Sequence, residues 1–140
     1  MVVTAKNYGN FLVKALNKEI DYDSDTIKVM LCTALTIDDT DVYLADVTRT
    51  ESSGTGYTAG GKALTGKSVT YGTNQVNINA DNVVWTSSSI TASYAIVYDD
   101  TPATDKPLIG YVNFGESKTS ESGSFTLAWA DGKVSYTNIN

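Results

Sequence analysis

Apolar side chains recur at Tyr8, Phe11, Leu12, Ala15, Leu16 and Ile20, the i, i+3, i+4, i+7 spacing that lines up one stripe of a helix. The pattern predicts an amphipathic helix over about 6–20, with Lys14, Asn17 and Lys18 on its polar side. Its stripe is expected to pack on the chain's own sheet or to dock on a partner. From Ile27 the period changes to two. Ile27, Val29 and Leu31 alternate with Lys28, Met30 and Cys32, which is the signature of a strand. Val42 and Leu44 suggest a short helical turn within 38–46. The stretch 49–61 is dense in Gly, Ser and Thr and reads as a loop pegged by one large side chain, Tyr57.

Further along, "SVTYGTNQVNIN" predicts a hairpin with its loop at Thr73 and Asn74, which sets Tyr71 opposite Val76 and Val69 opposite Ile78. "ITASYAIVYDD" alternates Ile90, Ala92, Tyr94, Ile96 and Tyr98 against smaller residues. Val97 on its second face marks it as a strand covered on both sides, at the centre of a sheet. "LIGYVNFG" is another strand, and "ESKTSESG" is expected to turn the chain after it. In "SFTLAWADGKVSYTN" the pair Asp131-Gly132 predicts a closing hairpin, with Trp129 opposite Val134 and Leu127 opposite Tyr136. Tyr94, Ile96, Leu127 and Trp129 are then expected to share one core. One N-terminal amphipathic helix followed by about seven or eight strands predicts a mainly β domain spanning 1–140. The expected form is an antiparallel β-sandwich, Ig-like or jelly-roll-like, with a closed barrel as the alternative.

Composition agrees with one globular domain: 140 residues suffice for a core without staples, and 41% apolar content places the chain away from disorder. The net charge of −6 comes with ten basic residues scattered from Lys6 to Lys133, so no basic patch is offered to a phosphate backbone and no nucleic-acid partner is expected. No stretch approaches the ~18 apolar residues of a membrane span, and "MVVTAKNYGN" lacks the layout of a signal peptide, so synthesis in a cytoplasm is expected and no membrane partner. Cys32 is the only cysteine, which excludes an internal disulfide and reads as a buried, inert thiol.

Several motifs bear on chemistry. "GKALTGKS", 61–68, fits the phosphate-binding pattern G-x-x-x-x-G-K-[ST], and "GTGYTA" fits a loose dinucleotide fingerprint through Gly54, Gly56 and Ala59. A working phosphate loop joins a buried strand to a helix N-terminus, yet "VTYGTNQVNIN" after Ser68 is β in character. Gly60, Gly61 and Gly66 therefore read as turn, bulge or edge positions, and no cofactor is expected. Asp21, Asp23 and Asp25 copy half of a calcium loop, but Thr26 and Cys32 stand where Gly and Glu belong, so the acids read as turn formers and no metal is expected. The chain contains no histidine, which removes every Ser-His, Cys-His and His-zinc arrangement. Asp38, Asp39, Asp99 and Asp100 could pair as glycosidase carboxylates, but all four fall in apparent turns. No catalytic residue is expected.

The segments "SGTGYTAGGKALTGKSVTY", "ITASYAIVYDD" and "LIGYVNFGE", with the order of strands around them, resemble a family of small virion structural proteins of tailed bacteriophages: head fibre, capsid decoration or minor tail proteins. The likeness runs from about Tyr8 to the C-terminus. It implies a β-sandwich built into a virus particle, without catalysis. It also implies assembly as an oligomer, expected to be a homotrimer, docked on the major capsid protein or another virion protein. A tail fibre or baseplate role is the alternative, and a carbohydrate-binding module with Trp85 or Tyr57 stacking on a cell-surface glycan is the more distant one. Tyr57, Tyr8, Phe11 and Leu12 are the expected partner-binding residues.

Overall fold

A computed structural model describes residues 1–139. The fold is mainly β, with several antiparallel sheets. Two short strands, β1 (Val2–Val3) and β2 (Lys6–Asn7), precede helix α1 (Phe11–Leu16) and the long β3 (Ile27–Leu35). β4 (Arg49–Glu51) and β5 (Lys62–Ala63) flank the glycine-rich segment, and β6 (Ser68–Gly72) pairs with β7 (Gln75–Asn79). β8 (Val83–Ser88), β9 (Thr91–Asp99), β10 (Leu108–Thr119), β11 (Gly123–Trp129) and β12 (Lys133–Asn138) follow.

The largest sheet runs β2-β10-β9-β3-β4, with β5 also paired to β3, so β9 occupies the centre as its two apolar faces predict. On one face, Ile27, Val29 and Leu31 of β3 are wholly buried against the smaller sheets β1-β11-β8 and β12-β7-β6. Each such aliphatic side chain contributes about 1.5–3 kcal/mol of burial. On the other face, Met30, Cys32 and Ile96 are covered by Tyr8, Leu44 and Val47. A short 3₁₀ turn, Leu44–Asp46, supplies part of that cover and lies inside the stretch where a helical turn was expected.

Four expectations need correction. The alternation along β9 breaks at Ser93: Ala92 lies in the first core with Ala95 and Val97, while Tyr94 and Ile96 lie in the second. At the same place the register with β10 shifts, Asn113 facing Tyr94 but Lys118 facing Ala92, so 114–117 bulge out of the ladder. The turn expected in "ESKTSESG" is present but confined to 120–122, between the end of β10 at Thr119 and the start of β11 at Gly123. Leu127 and Trp129 belong to the first core and are separated by the large sheet from Tyr94 and Ile96.

The Asp131-Gly132 pair does not close a hairpin. Both residues have the positive φ such a turn needs, 54° and 73°, but β11 pairs with β8 and β1 while β12 pairs with β7. The dipeptide is a corner that hands the chain from one small sheet to the other. By contrast, Thr73 and Asn74 (φ 53° and 58°) do close β6 on β7, in the predicted register of Val69 opposite Ile78 and Tyr71 opposite Val76.

The predicted helix over 6–20 is a single six-residue segment, α1. It stops at Leu16 because Lys18 takes a left-handed conformation (φ 65°), with Glu19 N–H donating to Lys14 O at 2.9 Å and Lys18 N–H to Ala15 O at 3.3 Å. That pair of bonds is a Schellman ending. Lys14 holds the helix in place from its side, donating to Tyr43 Oη at 2.9 Å and to Glu19 Oε2 at 3.0 Å.

Candidate partner-binding surface

Truncating the helix changes which of its side chains are available. Tyr8 and Phe11 are buried in the chain's own cores, at 2% and 3% exposure, so neither is free to meet a partner as expected. Leu12 is free, at 46%, and the sequence reading missed its neighbours Val13 at 49% and Leu16 at 82%. Of these, Leu12 lines a groove of about 530 Å3 between α1 and the β12-β7-β6 sheet, together with Phe11, Tyr22, Val69, Val76 and Ile78. Val69 and Tyr71 continue the apolar surface onto β6. The signal that could have found it is the turn "GTNQ", which leaves β6 at the end of its sheet with apolar residues on one face.

Tyr57 is engaged within its own domain. Its ring stacks on Trp85, its hydroxyl donates to Glu51 Oε2 at 2.7 Å, and it accepts from Leu31 N–H at 3.1 Å. The loop around it is laid down by close backbone approaches: a Cβ on Gly54 would stand 2.2 Å from Ser89 O, and one on Gly61 1.8 Å from Val29 O. Both glycines have positive φ. Gly60 O accepts from Tyr98 Oη at 2.5 Å, and Gly60 N–H donates to Glu51 Oε2 at 2.7 Å. The segment is a plug on the edge of β3. Trp85 is buried between Tyr57 and Phe125, with no face left for a sugar, which removes the expected stacking platform.

The stretch 61–68 is likewise accounted for by packing. Ser68 opens strand β6, so no helix N-terminus follows Lys67. Lys67 Nζ donates to the backbone oxygen of Asp25 and lies 5.8 Å from the Tyr22 ring centre. Gly66 (φ 60°) lets the Asp81 carboxyl approach to 2.5 Å of where a Cβ would stand.

Among the acids, Asp21 and Asp25 close their own turn: Asp25 Oδ2 accepts from Asp21 N–H at 3.0 Å and Asp21 Oδ1 from Ser24 N–H at 3.3 Å. Asp38 caps Thr40, and Asp100 bridges Lys28 and Lys106. Asp99 alone of the four considered for glycoside chemistry is buried, and it sits against the Asp25 carboxyl. Two facing carboxyls bond only by sharing a proton. Burial first, and then Asp25, push Asp99 up to about 7. Among the described residues no three acidic or thiol side chains converge as a metal site. Burial also pushes the Cys32 thiol up to about 12, which suits an inert core residue.

Compared with protein-family models, with curated proteins and with solved structures, the chain matches none.

Proposed function

We propose that this chain is a non-enzymatic structural protein of a tailed-phage virion, a capsid decoration or head-fibre protein that docks on the assembled shell as an oligomer. In this reading the sheets form an antiparallel sandwich, and the glycine-tyrosine segment is part of its frame, not its contact surface. One observation carries the docking role: an otherwise acidic chain leaves Leu12 and Val69 exposed in the lining of one groove, with Val13 and Leu16 exposed on the same helix and Tyr71 on the same strand. A net charge of −6 disfavours capture by an acidic surface, so attachment rests on apolar area. The resemblance of the quoted segments to virion proteins supplies the class of partner.

The test is sedimentation of tailed-phage particles from cells that produce the tagged chain. The chain should travel with the particles at a fixed ratio. Leu12→Glu with Leu16→Glu should strip it from them without lowering its melting temperature, since both side chains are exposed. A chain that stays in the supernatant overturns the reading.

A further inference from the structure

The outer sides of the strands are handled unequally. The edge of β3 is closed along its length: β4 and β5 pair with it, Ser52 N–H and the Tyr57 hydroxyl fill the gap between them at Leu31, and Leu64 N–H reaches Ile27 O. β12 takes Ala5 N–H on Val134 O, and β8 takes Lys62 Nζ on Val84 O. The far end of β10 carries a bulge and the Lys118–Glu116 ion pair. Each is a known way of blunting an edge.

β6 has none of these. It ends its sheet, its pairing with β7 is free of bulges, and the run "SVTYGTNQVNINA" from Ser68 contains no charge and no proline. Among the described residues, its hydrogen bonds go only to β7 and the hairpin turn. A row of unpaired amides and carbonyls calls for another strand.

We propose that this strand is β6 of a second copy, paired antiparallel about a twofold axis at Thr70. The sequence is self-complementary in that register. Thr70 faces Thr70, Ser68 faces Gly72, and Val69 faces Tyr71 twice, the β-branched-to-aromatic pairing that favours adjacent strands. Two chains of net charge −6 repel over most of their surfaces, and this edge brings no like charges together. The product is one continuous sheet, β12-β7-β6 joined to its twin, with the two apolar grooves on the same assembly. The inference rests on the reading above only for the expectation that copies assemble, and its twofold contact makes that oligomer a dimer or an even multiple in place of the expected homotrimer.

The isolated chain tests it, without particles, so its failure leaves shell docking standing. Sedimentation equilibrium should show a dimer or a multiple of it. Thr70 is exposed, and Thr70→Lys should place two like charges face to face and raise the dissociation constant by at least about tenfold. Thr70→Glu should do the same, and mixing the two variants should restore association. Far-UV circular dichroism checks that both fold, and Tyr71→Glu, also at an exposed position, serves if either does not. A wild-type chain that is monomeric up to millimolar concentration overturns the proposal. So does an oligomer indifferent to these charges, or a mixture that stays apart.

Discussion

Tyr57 and Trp85 lie with ring centres 6.3 Å apart and planes 29° from parallel, which seats the Tyr57 hydroxyl in the gap between β4 and β5 on the edge of β3. The glycine-rich loop is thereby made part of the sheet. Removing only the hydroxyl, as in Tyr57→Phe, strands the Leu31 N–H, leaves Glu51 Oε2 with Gly60 N–H as its remaining donor, and should cost about 1–3 kcal/mol. Tyr57→Ala also empties the space beside Trp85 and should cost more, about 2–4 kcal/mol. Urea denaturation of the two variants checks both values. A Tyr57→Ala chain with unchanged stability and lost particle binding would restore Tyr57 as an intermolecular anchor.

The Asp25–Asp99 pair makes a pH prediction. Asp99 is pushed up to about 7 in the folded chain, while an unfolded aspartate titrates near about 3.9. Between those values the folded state holds a proton that the unfolded state has released. Stability from this group therefore falls as pH rises through the window, and the loss is complete above about 7. Asp25, held low by its bond to Asp99 and its other partners, contributes with the opposite sign, as does Asp100 between its two lysines. Asp99→Asn isolates the first effect. Its stability relative to wild type should increase from about pH 4 to about pH 7 and then level off, read by denaturant titration across that range. A difference that is flat with pH would show that the two carboxyls share no proton.

What could be read in the sequence was what depends on near neighbours. The β6–β7 register follows from alternation plus one turn, and the double-sided burial of β9 follows from having apolar residues on both faces. The corner at Asp131-Gly132 shows the limit of that logic: the dipeptide sets the local φ values, but the partners of β11 and β12 are chosen by the core. The helix stripe misled for a related reason. Its 3.6 periodicity persists to Ile20, yet Lys18 turns left-handed without a glycine to announce it, so Ile20 reaches the core from the following turn instead. For the candidate surface, Leu12 was legible and Leu16's exposure was not, because the orientation of a short helix is fixed by Phe11 beneath it and Lys14 on Tyr43 beside it.

Trp129 separates burial from surface roles. It is 3% exposed, with Nε1 donating to Asp81 O at 3.1 Å and its own N–H to Asn82 Oδ1 at 3.0 Å. Trp129→Ala leaves a large cavity and an unmet carbonyl and should cost about 3–5 kcal/mol, measured by thermal or chemical unfolding. A loss under about 1 kcal/mol would place the ring at the surface.

At 61–68 a phosphate-loop reading and a packing reading expect opposite results. If the motif bound phosphate, Lys67→Ala would abolish nucleotide binding and Gly61 would be tuned to the ligand. In the fold, Gly61 is instead pressed on β3: its φ is 92°, and a Cβ there would overlap Val29 O at 1.8 Å. Gly61→Ala must then shift backbone as well as adopt a strained φ, so it should cost more than the ~1 kcal/mol that strained φ alone brings. Gly72→Ala is the control, since nothing lies within 4 Å of its added methyl and its φ is unrestricted. Lys67→Ala removes one bond to Asp25 O and a contact with Tyr22, a modest loss of about 0.5–1.5 kcal/mol. Calorimetric titration of wild type with ATP and GTP should give no saturable heat. Saturable binding lost in Lys67→Ala, with Gly61→Ala folding normally, would overturn the packing account of the motif.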